Sequence, residues 1–315
     1  MGPIPDRILA RVAEQDSLDN EALHQLGRIP YPLLRGSGEK NFRRISWDAA
    51  TDLVASSLRK APPDRVGFFL TSRGLTNETY YTVQKLARIA GTPHVDSCAR
   101  LCHAASSVGL KQTIGYSAPT ISLTDLIGAE LIFIIGSNLP NNQPVSTKYL
   151  RAARKAGSRV VVINPFKEPA LERYWIPSVP SSALFGTKLM DEYHAVRPGG
   201  DIAFMTGVLK ALDECDGFDQ AFIEQRTVGS AELRSHLRAT TWQEIVAESG
   251  VDQHALSALA ERYRKAKTAV FVYSMGLTQY EFGVQNVKMV VNLALARGMI
   301  GRERCGILPI RGHSG

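Results

Sequence analysis

In SCARLCHAAS, residues 97–106, Cys102 is followed directly by His103 and preceded two positions earlier by Arg100. Cationic or proton-bearing neighbours favour the ionised thiol. A soft thiolate suits a polarizable transition metal in a sulfur-rich shell, and an adjacent imidazole takes up a proton near neutral pH. Taken alone, Cys102 is also readable as a packed core thiol, the commoner fate of a free cysteine. Cys98, four residues earlier, would share a helix face, but two cysteines do not make a metal site; Cys215 and Cys305 are read as structural. A second candidate is Arg311 with His313, framed by Gly312 and Gly315. Arginine presents a fixed fork of donors to a carboxylate or oxyanion, and His313 adds a switchable proton. The plainer alternative is a solvated turn carrying a charge.

Three polar turns follow apolar runs that read as strands: GSNLPNNQ (136–143), NPFKE (164–168) and SMGLTQ (274–279). Ligands of parallel α/β folds bind at the carboxyl ends of strands. Small residues there let backbone N–H groups approach a phosphate, and Asn and Gln amides read the edge of a base or pterin. Gly, Asn and Pro are also plain turn formers, so each turn by itself carries little. Three on one sheet favour a dinucleotide-like ligand. No GxGxxG follows a predicted strand and no Walker lysine motif occurs, which argues against ordinary nicotinamide and P-loop readings.

The elements that would hold these residues alternate regularly. Ser46 caps a helix from Trp47 that should stop before Pro62; a short apolar run, 66–70, reads as a buried strand, and 77–89 returns to helical spacing. Strand 130–135, helix 144–156 and strand 159–163 form a βαβ unit, whose Val- and Ile-rich strands imply a parallel sheet covered on both faces. Helical patterns follow at 201–213, 219–225, 242–248 and 252–265, then a buried strand at 269–273 and a long helix at 282–297. The fold class is α/β: a Rossmann-like parallel sheet flanked by helices, plus part of a second α/β domain. The organisation expected is a lead-in and connector (1–44), a partial α/β domain (45–95) and a dinucleotide-binding-like domain (96–315).

The chain has 315 residues, enough for a sizeable core, with apolar and charged fractions near globular averages. No stretch approaches the roughly 20 consecutive apolar residues that span a bilayer, so no membrane insertion is expected. Four scattered cysteines fit a reducing compartment, and the N-terminus lacks a secretory pattern, so a cytoplasmic protein is expected. They also lack the clustered spacing of an iron–sulfur site. The formal charge of +7 is interspersed rather than gathered into blocks, so no nucleic-acid partner is expected. The closing Arg311-Gly312-His313-Ser314-Gly315 turn leads us to expect a piece of a larger protein.

Taken together and in order, GRIPYPLLR, RRISWDAA, FFLTSRGLTNETYYTVQKLAR, SCARLCHAAS, GSNLPNNQPVSTKYL, ALFGTKLMDEYHAVRPGGDIAF, KTAVFVYSMGLTQYEFGVQNV and LARGMIGRERCGILPIRGHSG resemble the molybdopterin oxidoreductase superfamily, in particular its formate dehydrogenase H and YdeP-like branch. The resemblance runs from about Gly27 to Gly315. It implies a molybdenum or tungsten ion held by two molybdopterin guanine dinucleotides and one protein ligand, with Cys102 in the ligand position. It implies that His103 is the neighbouring proton acceptor and Arg311 the residue holding an anionic substrate. Arg73, Gly136, Asn138, Asn141, Asn164, Gly199, Asp201, Gly276, Gln279 and His313 fall at or beside positions associated with the pterin dinucleotide.

The chemistry so implied is a two-electron redox step on a small-molecule substrate, formate or another, with electrons passing to a partner protein. Departures exist. A glutamine stands where His313 is in established formate dehydrogenases of this type, and Phe166 replaces an arginine. The family's [4Fe-4S] ligands have no counterpart, since residues 1–26 contain no cysteine. The alternative is a cofactor-free, noncatalytic binding or scaffold fragment that retains the fold.

Overall fold

The computed structural model describes residues 2–9, 11, 18–71 and 74–310. These form two compact units, one of Met1–Leu70 with Leu75–Asp96 and one of Thr71–Gly74 with Ser97–Gly315.

In the first unit, Ser46 accepts the Ala49 N–H at 3.1 Å and opens the helix Trp47–Lys60, as its sequence predicts. Thr76 does the same for the helix Asn77–Ile89. The apolar run expected as a buried strand is shorter and more open: among the described residues Phe68–Leu70 pairs only with Val95–Ser97, and Phe69 is 67% exposed. Two strands do not bury both of their faces. In the lead-in, the Tyr31 hydroxyl donates to the Ile4 carbonyl at 2.6 Å while the Arg44 guanidinium lies 4.1 Å from the ring centroid.

The second unit is built on five parallel strands: β1 (Leu131–Ile135), β2 (Arg159–Ile163), β3 (Glu192–His194), β4 (Ala269–Tyr273) and β5 (Gly306–Pro309). Their order across the sheet is 3-2-1-4-5, so the winding reverses between β1 and β4. Such a reversal leaves the carboxyl ends of the two central strands as a natural ligand rim. The apolar runs of β1, β2 and β4 are where the sequence puts them. The edge strands β3 and β5 are too short to show a pattern.

Among the helices of the described residues that flank the sheet are α1 (Ala99–Ile114), α2 (Thr147–Lys155), α3 (Asp201–Glu214), α4 (Gln253–Lys265) and α5 (Gly283–Ala296). Successive strand residues point to opposite faces. Leu131, Phe133 and Ile135 accordingly join the core beneath α3, α4 and α5, whereas Ile132 and Ile134 join the core beneath α2. Phe133 and its register partner Phe271 stack at 4.9 Å, and both meet the Tyr263 ring edge-on. Such pairs add about 0.5–1.5 kcal/mol each beyond area burial. The Tyr263 hydroxyl, fully buried, donates to the Leu293 carbonyl at 2.7 Å and so ties α4 to α5.

Both sheet margins are finished by side chains. On β3, Glu192 meets Arg159, Arg262 and His194. Beside β5, Thr120 donates its N–H to the Ile307 carbonyl and accepts the Ile307 N–H on its hydroxyl.

At the reversal, the Gly276 N–H donates to the Gly136 carbonyl at 3.0 Å, and a Cβ on Gly276 would lie 2.6 Å from the Gly136 Cα. The turns after β1 and β4 therefore touch backbone to backbone, which only glycine allows. We expect Gly276→Ala to destabilise the second unit by about 1–3 kcal/mol through overpacking, read as a lower urea midpoint; an unchanged midpoint would mean that the turns separate freely.

Candidate functional site

Helix α1 starts at Ala99, three residues before Cys102. The Cys102 N–H is consequently already bonded to the Cys98 carbonyl, at 3.1 Å. Just after it the helix kinks: His103 has φ −135° and ψ 16°. At the kink the Thr278 hydroxyl, from the turn after β4, donates to the Cys102 carbonyl at 2.5 Å.

Cys102 is 4% exposed. It belongs to neither apolar core cluster and faces a cavity of about 630 Å³ that His103 and Ser106 also line. Its side chain is thus buried, as a packed thiol would be, and at the same time part of a cavity wall.

The imidazole of His103 is held at both nitrogens. Nε2 lies 2.9 Å from the Ile310 carbonyl and Nδ1 lies 2.8 Å from the Ser106 hydroxyl. A carbonyl oxygen only accepts, so Nε2 carries the proton and donates; Nδ1 then accepts from Ser106. The same Ile310 oxygen takes a second hydrogen bond from Ser274, at 2.7 Å. Burial pushes the Tyr273 phenol at the end of β4 up to about 12, with the Ser106 side chain pulling against it. Ser106, Ser274 and Thr278 went unremarked in the sequence. For Ser106 a signal existed, because three residues beyond His103 is one helical turn.

The other predicted residues spread along the carboxyl rim. Gly136 and Gly276 are the touching pair. Asn138 donates from Nδ2 to Glu168 at 2.8 Å, joining the turns after β1 and β2, and burial raises the Glu168 pKa. Asn164 spends its amide locally, donating to the Phe166 carbonyl at 3.0 Å, while the Tyr193 hydroxyl donates to the Asn164 carbonyl at 2.8 Å. Asn141 and Gln279 are exposed, and Gln279 contacts the Met275 sulfur. Gly199, at φ +84°, sits against the stacked rings of Tyr280 and Phe282. Asp201 opens α3, is 4% exposed, and is pushed up to about 6 by burial, its own backbone N–H opposing. Arg73, Arg311 and His313 lie outside the described residues; Ile310, which His103 grips, precedes Arg311 in the sequence.

Whether this rim fits a dinucleotide is tested by its unsatisfied atoms. Ser137 Oγ and Asn138 Oδ1 are buried at the end of β1 without a hydrogen-bond partner among the described residues. Buried polar groups of this kind call for a partner. Two such atoms at the winding reversal, beside a glycine pair, suit a ligand rich in N–H and O–H groups. Among the described residues no three His, Cys, Asp or Glu side chains converge to hold a metal ion. Cys102 would thus supply one soft ligand, with the remainder coming from a bound group.

Comparison with known proteins agrees. A family profile described as Molybdopterin oxidoreductase matches residues 28–312. Protein YdeP of Escherichia coli (strain K12) is 35% identical over 305 residues, covering 93% of this chain and 40% of that protein. The F420-dependent formate dehydrogenase 1 subunit alpha of Methanococcus maripaludis is 36% identical over 296 residues, covering 94% and 41%. The chain thus spans about 40% of the length of these curated relatives. Among solved structures, acetylene hydratase from Pelobacter acetylenicus shares the fold, with a TM-score of 0.65 at 23% identity over 89% of this chain and 37% of that one. A five-stranded parallel sheet, a cysteine and a histidine facing one cavity, and a profile match along most of the sequence lead to one assignment: the chain belongs to the molybdopterin oxidoreductase family.

Proposed function

We propose that this chain is the catalytic-subunit core of a molybdenum or tungsten bis-molybdopterin guanine dinucleotide oxidoreductase, acting in formate-dehydrogenase fashion on a small substrate. The observation that carries the reading is the kinked turn that sets Cys102 and His103 side by side in one cavity wall. When bound, the metal–pterin group supplies the two-electron redox chemistry.

Cys102 would hold the metal as its single protein ligand. His103 would serve as the proton acceptor at Nδ1. The Ser106 hydroxyl that now donates to Nδ1 would rotate to accept, while the Ile310 carbonyl keeps Nε2–H in place and the ring oriented. Arg311 would hold an anionic substrate such as formate. Asn138 and Ser137 would take the pterin dinucleotide along the rim, joined by Gly136, Asn141, Asn164, Gly199, Gly276, Gln279, Arg73 and His313. The Asp201 carboxylate would accept the N–H groups of the guanine edge. Electrons would pass to a partner protein, through a [4Fe-4S] cluster held outside this chain; the methanogen relative is itself a subunit. Among the described residues no helix is long and apolar enough to cross a membrane.

Metal analysis of protein purified from a cofactor-producing host tests this reading. Molybdenum or tungsten should accompany the parent chain, together with pterin fluorescence after acid release. Cys102→Ala should lose at least about tenfold of the metal, within the range seen when a site's ligand shell is broken. Metal and pterin both at background in the parent would favour the alternative, a cofactor-free scaffold fragment.

Asp201 gives a pH test. Its folded pKa of about 6 lies above the unfolded value of about 3.9, so the folded state holds more protons between them. Stability of the cofactor-free chain should therefore fall as pH rises from about 4 to about 6, by about 3 kcal/mol in all. Asp201→Asn should remove that part of the slope in urea titrations at stepped pH. Guanosine monophosphate, used as the probe, should bind more tightly at pH 7 than at pH 5 in the parent, and the difference should vanish in the variant.

A further inference from the structure

Residues 174–187, between β2 and β3, close into a loop: the Tyr174 N–H donates to the Thr187 carbonyl at 3.0 Å, and the Thr187 N–H donates to the Tyr174 carbonyl at 2.8 Å. Inside the loop, Ile176 is buried in the core beneath α2, and the buried Ser182 hydroxyl donates to the Tyr174 carbonyl and accepts the Ile176 N–H, both at 2.9 Å. What the loop turns outward is apolar. Trp175, Leu184 and Phe185 are 62%, 73% and 78% exposed, the last two closing the short helix Pro180–Phe185. The bridge between Tyr174 and Thr187 is antiparallel and brings Trp175 across from Gly186, beside Phe185. Single exposed apolar side chains need no explanation, whereas several together mark a surface that meets something. None of the three lines the wall shared by Cys102 and His103.

The ground around the loop is basic. Residues 144–191 hold eight Lys and Arg against three Asp and Glu, a net +5 of the chain's +7. Lys148, Arg151 and Lys155 follow one another at steps of three and four, so they share a stripe of α2 away from the buried Thr147, Leu150 and Ala153. Arg154 binds the Lys188 carbonyl and the Asp191 carboxylate, which holds α2 beside the foot of the loop. Arg173 lies against Gly186, where a Cβ would strike its side chain, and Lys188 is exposed at the loop's exit. The complement in charge is an anionic partner.

We propose that the loop and the basic stripe together dock the chain peripherally on a bilayer surface bearing anionic phospholipids. Trp175, Leu184 and Phe185 enter the headgroup region, while Lys148, Arg151, Lys155, Arg173 and Lys188 meet the lipid phosphates. Aromatic and apolar side chains flanked by Lys and Arg are what such an interface retains. An acidic protein would also answer the charge, but large apolar groups carried on a closed loop rather than around a groove suit a deformable surface.

Co-sedimentation of the whole chain with vesicles tests this. Vesicles of equal parts phosphatidylglycerol and phosphatidylcholine should bind it at least about tenfold more tightly, about 1.4 kcal/mol, than phosphatidylcholine alone, and added salt should weaken the binding. Leu184→Ser with Phe185→Ser, and separately Lys148→Glu with Lys155→Glu, exchange exposed residues. Each pair should lower binding to the anionic vesicles at least about tenfold with an unchanged unfolding midpoint. Bromine-labelled lipid chains should quench tryptophan fluorescence in the parent, and the quenching should fall in Trp175→Phe, which keeps the apolar surface and serves if the serine pair folds poorly. Absence of a preference for anionic vesicles, full binding by the folded serine pair, or unquenched tryptophan would overturn the proposal. So would equally tight binding to soluble poly-L-glutamate, which would mean that charge alone is read, as by an acidic protein. A parent that is dimeric in solution, with a monomeric serine pair, would likewise overturn it and assign the apolar loop to a second copy of the chain. Nothing in this surface depends on the chemistry at Cys102, so Cys102→Ala should bind vesicles as the parent does while losing metal, and failure of the metal site and failure of the docking surface show in different measurements.

Discussion

One hydrogen bond organises the site: His103 Nε2 to the Ile310 carbonyl, between residues 207 positions apart. It joins the kink of α1 to the chain leaving β5, and Ser274 after β4 donates to the same oxygen. A carbonyl accepting two donors fixes three elements at once. It also selects the imidazole tautomer, because the nitrogen facing it has to carry the proton. With the Thr278 hydroxyl on the Cys102 carbonyl it gives the kink two tertiary hydrogen bonds, one on each of the two residues that share the cavity wall.

The sheet supplies the rigidity against which this bond works. Its central strands are buried on both faces, so alternate residues of β1 enter two separate cores. The Phe133–Phe271–Tyr263 cluster and the Tyr263–Leu293 hydrogen bond lock α4 and α5 against one side. Interiors packed at this density move little. The turns after β1 and β4, touching through Gly136 and Gly276, therefore form a fixed rim, and unsatisfied atoms such as Ser137 Oγ stay where a ligand can meet them.

The central strands were legible because burial on both faces leaves an unbroken Val and Ile run bounded by polar turns. Helices read well where caps are explicit, as at Ser46 and Thr76. β3 and β5 were not legible: three or four residues containing Glu192 or Pro309 carry no periodicity. Cys102 and His103 stood out as neighbours in sequence. Their partners Thr278 and Ile310 did not, since contacts across the fold leave no mark on local spacing. The run ending in Leu70 misled because continuous apolar character reads as full burial, while Phe69 lies open in a sheet of two strands.

The two finished margins of the larger sheet have a consequence for the behaviour of the protein at high concentration. Unpaired strand edges recruit strands from neighbouring molecules. Here β3 is only three residues long, with Glu192 clasped by arginines, and the outer backbone of Ile307 is already satisfied by Thr120. Intermolecular strand addition therefore finds little purchase on either side, and the sheet resists the edge-to-edge polymerisation that leads to fibrous aggregates.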